Sequence, residues 1–211
     1  MTIRITSASS DGQRKDSRGR PSTPFLRERI LRSAALLFAQ KEFGRVLIDE
    51  IAARAGVGKG SVYRQFSSKE ELYAAVVIDG FGQLQKEIRS ALADTSAVRD
   101  QIATIVSHTL IYFWTRRQFF ALLHDPKALP RRQERLYHAQ RQQFTELITE
   151  VLSEGIAHGA LRADLDTRIA AEALLGMLRG INRYCRDYTT PEGAVPLLVG
   201  MFIDGCSIGR A

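Results

Sequence analysis

Residues 47–66 read LIDEIAARAGVGKGSVYRQF. Ile48, Ile51, Ala52 and Ala55 recur at helical spacing on one face, and Gly56 stops that helix. A second short helix, Lys59 to Phe66, follows after only Val57 and Gly58. Two short helices joined by a tight, glycine-containing turn are the helix-turn-helix pattern. Ala52 and Ala55 are small enough for the helices to approach closely, and Gly56 takes a left-handed turn at little cost. Val57 and Val62 plug the angle from inside. That leaves Lys59, Gly60, Ser61, Tyr63, Arg64 and Gln65 mostly outward. The face is basic, aromatic and hydrogen-bonding, and it suits a DNA major groove.

Upstream, Thr23 and Pro24 read as a helix start. Ile30, Ala34, Leu37 and Phe38 then form one apolar stripe, closed by Phe43 and Gly44. Downstream, Ser68 and Glu71 have capping-box spacing and launch a fourth helix through Leu72, Val76 and Val77 to about Ala91. Further helical stripes run through Ile102, Ile105, Val106, Leu110 and Phe113, through Phe144 to Leu152, and from Asp166 to Ile181. A last one lies between Pro191 and Ile208, with Pro196 complicating its start. No alternating strand pattern and no fixed-period repeat appear. The expectation is an all-α chain of about nine or ten helices. Its parts are a disordered basic tail over 1–22, a DNA-binding domain over 23–75 and a C-terminal domain over 76–211.

The chain has 211 residues with a formal charge of +7. Residues 1–23 carry five basic and two acidic side chains, and residues 24–75 nine basic and six acidic. The charge is therefore concentrated at one end, which points to a polyanion partner, nucleic acid or an acidic membrane surface. The apolar fraction of 45% is that of a globular protein and excludes wholesale disorder. The N-terminus lacks the apolar segment of a secretory signal, and no apolar run approaches a membrane span. Cys185 and Cys206 are too few for a disulfide scaffold and read as reduced thiols in a cytoplasmic protein.

Residues 27–73 resemble the N-terminal domain of the tetracycline-repressor (TetR) family of bacterial regulators. The matching stretches are RILRSAALLFAQ, FGRVLIDEIAARAGV and KGSVYRQFSSKEELY, in order and with spacing intact. The resemblance implies that Lys59 to Gln65 form the recognition helix. Ser61 and Gln65 would touch phosphates. Tyr63 would give its hydroxyl to a phosphate and lay its ring near a thymine methyl. Gly60 would let the helix approach base edges, and Lys69 would join the positive end of the fourth helix on the DNA backbone. Two departures bear on the first of the two short helices. Leu47 stands where the family favours a capping Thr or Ser, and Asp49 puts an acid on a phosphate-facing surface. Arg54 is then that helix's only basic candidate. Arg18-Gly-Arg-Pro21 has the look of a minor-groove arm.

Residues 56–61 lack the Walker glycine and the Ser or Thr after Lys59, so no phosphate-binding loop is read there. His108, His124, His138 and His158 lie far apart, so no metal is expected. No catalytic constellation and no cofactor motif stand out. Aromatic and polar residues concentrate between Tyr112 and His124, with Tyr137, Phe144, Met177 and Tyr184 on later helices. Packing in the core accounts for most of them. The ligand-pocket candidates are Phe113, Trp114, Arg117, Phe120, His124, Tyr137, Met177 and Tyr184. The resemblance further implies a homodimer through the last two helices, 166–188 and 195–208, where Gly176, Gly180, Gly200 and Gly205 permit close contact. The expected function is a regulator, a repressor in the first instance, that sits on a near-palindromic operator and leaves it on binding a small, partly apolar inducer. An all-α scaffold protein without DNA affinity and a small all-α enzyme are the alternatives.

Overall fold

The periodic apolar stripes become eight α-helices and one 3₁₀ turn in the computed structural model, which describes residues 23–116 and 131–207. No strand occurs among the described residues. The helices are α1 (Thr23–Gln40), α2 (Ile48–Ala55), α3 (Lys59–Gln65), α4 (Lys69–Leu92), α5 (Val98–Thr115), α6 (Arg131–Ala157), α7 (Thr167–Tyr184) and α8 (Pro191–Cys206). The 3₁₀ turn is Phe43–Arg45. The tail, with its Arg18–Pro21 segment, lies outside the described residues, as do Arg117, Phe120 and His124.

Two buried cores organise the chain. The first gathers Ile30, Phe38, Ile51, Val62, Phe66 and Leu72 from α1 to α4. The second gathers Leu84, Ile88, Ile102, Ile105, Leu110, Phe144, Ile148, Leu152 and Leu174 from α4 to α7, and α8 adds Leu198 and Phe202. Each fully buried side chain of this kind is worth about 1.5–3 kcal/mol against exposure. α4 belongs to both cores: Leu72, Tyr73 and Val76 face the first, whereas Phe81, Leu84 and Ile88 face the second. One rigid helix therefore joins the N-terminal head to the body. Tyr73 meets Phe38 edge to face at 4.8 Å, and burial pushes its phenol up to about 12.

Helix starts follow the sequence, with two changes. Leu47 offers α2 no side-chain cap; instead Glu50 Oε2 accepts the Leu47 amide at 3.3 Å. Lys41 pairs with that same Glu50 at 2.7 Å and holds its carboxyl below the usual range. At α4, Ser68 Oγ accepts the Glu71 amide at 3.0 Å as the spacing predicts. The reciprocal bond is displaced by one residue, because Glu71 Oε2 accepts the amide of Ser67 rather than that of Ser68, at 2.8 Å. Pro196 does not break α8. It and Glu192, whose carbonyl loses its partner, both lie exposed.

Candidate nucleic-acid interface and body cavity

The turn that presents α3 depends on Gly56, which sits at φ 63° and ψ 40° in the left-handed region. Arg29, from α1, donates to the Ala55 carbonyl that ends α2. A Cβ on Gly56 would come within 2.9 Å of that guanidinium, which would have to shift, and the left-handed φ itself favours glycine. Ile51, Ala55, Val62 and Phe66 are buried beneath the turn, and burial there fixes which residues of α3 face out.

Lys59, Gly60, Tyr63 and Arg64 are exposed on α3, and Arg54 is exposed on α2. Tyr63 is 46% exposed, high for a large aromatic side chain. Ser61 is half-buried, and its hydroxyl accepts from Arg64 at 2.8 Å, so the two form one polar unit. Gln65 is half-buried and turns toward the cleft under α1, away from the centre of this face. Lys59 is not a free cation. Its ammonium lies 3.0 Å from Asp49 Oδ2, and the Asp49 hydrogen bond raises its pKa. Lys69 sits at the start of α4 with its ammonium 4.5 Å over the Phe43 ring and 3.5 Å from the Gly44 carbonyl. Arg54 on α2 and Lys59, Tyr63 and Arg64 on α3 are all exposed, and the Lys59–Asp49 pair bridges the two helices.

The described residues form a large cleft and a smaller cavity. The cleft, of about 1150 Å³, is lined by α1, α4, α5 and α6, with Arg32, Glu71, Asp79, Tyr112 and Gln133 among its walls. Tyr112 is largely buried there, which pushes its phenol up to about 12. A smaller cavity of about 100 Å³ lies between α4, α5, α6 and α7. Of the pocket candidates, Phe113 and Tyr137 line it. Met177 packs half-buried against the body core, and Tyr184 is 68% exposed beside Arg183, so neither reaches the cavity. Trp114 stacks under Arg186, whose guanidinium is 4.9 Å from the ring and donates to the Phe113 and Trp114 carbonyls at the end of α5. Sequence reading missed Thr109, Arg141, Phe144 and Asn182 as cavity residues. Thr109 carried a signal: it interrupts the apolar stripe of α5 between Ile105 and Phe113.

α7 and α8 leave an apolar outer face. Ile169, Leu197 and Met201 are each more than 60% exposed, and a Cβ on Gly176, Gly180 or Gly200 would touch nothing. No helix among the described residues is long and apolar enough to cross a membrane. Cys185 and Cys206 are both free thiols.

Residues 30–76 match the family described as bacterial regulatory proteins, tetR family. Residues 94–187 match the tetracyclin repressor-like C-terminal domain. The chain is 31% identical to the uncharacterized HTH-type transcriptional regulator YdeS of Bacillus subtilis, over 77% of this chain and 80% of that protein. It is 28% identical to the HTH-type transcriptional repressor KstR2 of Rhodococcus jostii, over 68% of this chain and 72% of that one. The fold superposes on that of the regulator FadR from Bacillus subtilis, solved with stearoyl-CoA, with a TM-score of 0.69 at 15% identity. That match covers 84% of this chain and 98% of the other. The helix-turn-helix head, the helical body and these likenesses agree: the chain belongs to the tetR family of bacterial transcriptional regulators.

Proposed function

We propose that this regulator is a cytoplasmic homodimeric repressor that binds a near-palindromic operator and releases it when a small, partly apolar molecule enters the body. The observation that carries this reading is the exposed α3 face, with Lys59, Tyr63 and Arg64 held outward by the burial of Val62 and Phe66. Residues 23–75 act as the reading head and 76–211 as the body, with α4 continuous across the boundary. Arg54, Lys59, Gly60, Ser61, Tyr63, Arg64 and Lys69 contact DNA, and Gln65 does so from the rim.

The dimer forms through 166–188 and 195–208. The open glycines and the exposed Ile169, Leu197 and Met201 support it, because an apolar face of that kind is covered in a stable protein. One recognition helix reads only a few base pairs, so two heads related by a two-fold axis gain specificity on successive major grooves, roughly 34–36 Å apart or a multiple of that. The release mechanism is linkage: a ligand that packs better when α4 is displaced favours heads set at the wrong spacing. KstR2 is named a repressor, which supports the sign, and FadR, solved with stearoyl-CoA, supports a body that takes an apolar ligand. The test is selection of bound fragments from genomic DNA. The expected result is a shared near-palindrome of two half-sites. Fragments without a common sequence would overturn the reading.

A further inference from the structure

The smaller cavity contains one unmet chemical demand. Thr109 is 3% exposed, and its hydroxyl has no hydrogen-bond partner. A buried hydroxyl in that state is destabilising until something bonds to it. Its neighbour Asn182 is 2% exposed and satisfied: Nδ2 donates to the Leu178 carbonyl at 3.1 Å, and Oδ1 accepts from Arg186. Phe81, Phe113, Phe144, Leu175 and Leu178 supply apolar wall, and Tyr137 adds an aromatic ring with a phenol. Two guanidiniums belong to the lining as well. Arg141 is neutralised by Glu172, which it grips with both nitrogens. Arg179 is exposed and makes no ion pair among the described residues.

Together these features define an occupant: an aliphatic body against the apolar walls, an oxygen for Thr109, and a negative charge toward the exposed Arg179. The volume of about 100 Å³ sets the size. It is below the ~150 Å³ that holds a benzene ring, which leaves room for a body of about four or five carbons. We propose that this cavity is a binding site for a short aliphatic acid, its charge toward Arg179 and an oxygen within reach of Thr109. The inference deepens the ligand-responsive reading above and rests on it.

The test uses the full chain without DNA and three probes: pentanoate, 4-oxopentanoate and pentan-1-ol, each titrated calorimetrically in the millimolar range. Both acids are expected to bind at least ~5-fold tighter than the alcohol. Arg179→Gln should abolish that preference. Thr109→Val should weaken 4-oxopentanoate by ~3–10-fold, the value of one hydrogen bond. The free Thr109→Val protein should melt no lower than the parent, because the change removes an orphan hydroxyl at constant shape. Equal binding of acid and alcohol, or no binding of any probe by a folded protein, would overturn the proposal, as would acid binding indifferent to both substitutions. A lowered melting point in the free Thr109→Val protein would overturn it too, because the hydroxyl would then have an internal partner. DNA release is measured separately on a genomically selected fragment. If acids bind as described and DNA stays bound, the site stands and the inducer reading fails.

Discussion

Glu71 Oε1 accepts a hydrogen bond from Gln133 Nε2 at 3.1 Å, across 62 positions of sequence. The other carboxylate oxygen takes the amide and hydroxyl of Ser67, just before α4. One side chain therefore ties the start of α4, on the head, to the start of α6, in the body. Gln133 is buried, and both residues line the large cleft. A shift of α6 is felt at the first turn of the helix that carries the head.

Glu71→Ala removes both the local cap and the tie, and should lower stability by roughly 1–2 kcal/mol. Gln133→Ala removes the tie alone. The double variant should fall short of the sum by about 0.5–1.5 kcal/mol, since the shared bond is lost only once. Urea unfolding of the four proteins measures this. Strict additivity would mean that the bond carries no coupling.

The same carboxylate makes stability pH-dependent. The Ser67 hydroxyl and amide hold the Glu71 carboxyl below its ordinary value, and the Arg141 hydrogen bond does the same for Glu172. A carboxyl depressed in the folded state adds stability above its unfolded pKa, about 4.3, and loses it as pH falls through the folded pKa. Urea midpoints should be flat from pH 7 to about pH 5 and fall below that. Glu71→Gln should flatten the acid limb. An unchanged limb would remove Glu71 from the account.

Gly56→Ala places a Cβ in a left-handed backbone and against the Arg29 guanidinium. The backbone term alone is about 1–2 kcal/mol. Thermal melting should drop by several degrees, and DNA binding should weaken with it. A melting point equal to the parent's would contradict the assigned turn.

Asp49 both repels phosphate and occupies Lys59. Asp49→Asn should therefore strengthen DNA binding and steepen its salt dependence by about one unit, since Lys59 becomes free to displace a counterion. Lys59→Ala should cost more in the Asp49→Asn background than in the parent. Anisotropy titrations at several salt concentrations test both statements. Weaker binding by Asp49→Asn would contradict them.

Much of the head was legible because its pattern is local. Two helices, a glycine turn and a capping serine lie within 22 residues, from Leu47 to Ser68, so spacing alone decides which side chains face in. Periodicity places Lys59 outward, and it is exposed, but its partner Asp49 lies a helix away and only tertiary approach reveals that pair. The cavity was far less legible. Its walls come from α4, α5, α6 and α7, and an aromatic residue on any one helix packs in a core as well as it lines a hollow. Phe113 and Tyr137 line the cavity, whereas Tyr184, an aromatic residue on the same helical logic, is 68% exposed. The shifted capping bond from Glu71 to Ser67 and the tie to Gln133 depend on side-chain conformation, which periodicity does not encode.

The central claim is that the exposed face of α2 and α3 reads a DNA sequence. Its most direct test is the ratio of dissociation constants for a genomically selected duplex and a scrambled duplex of the same composition, measured for the parent and for Tyr63→Phe at fixed salt. The account predicts a ratio of at least ~10³ for the parent. It also predicts weaker binding of the selected duplex by Tyr63→Phe, with an unchanged melting point. Equal affinity of the parent for both duplexes would contradict it.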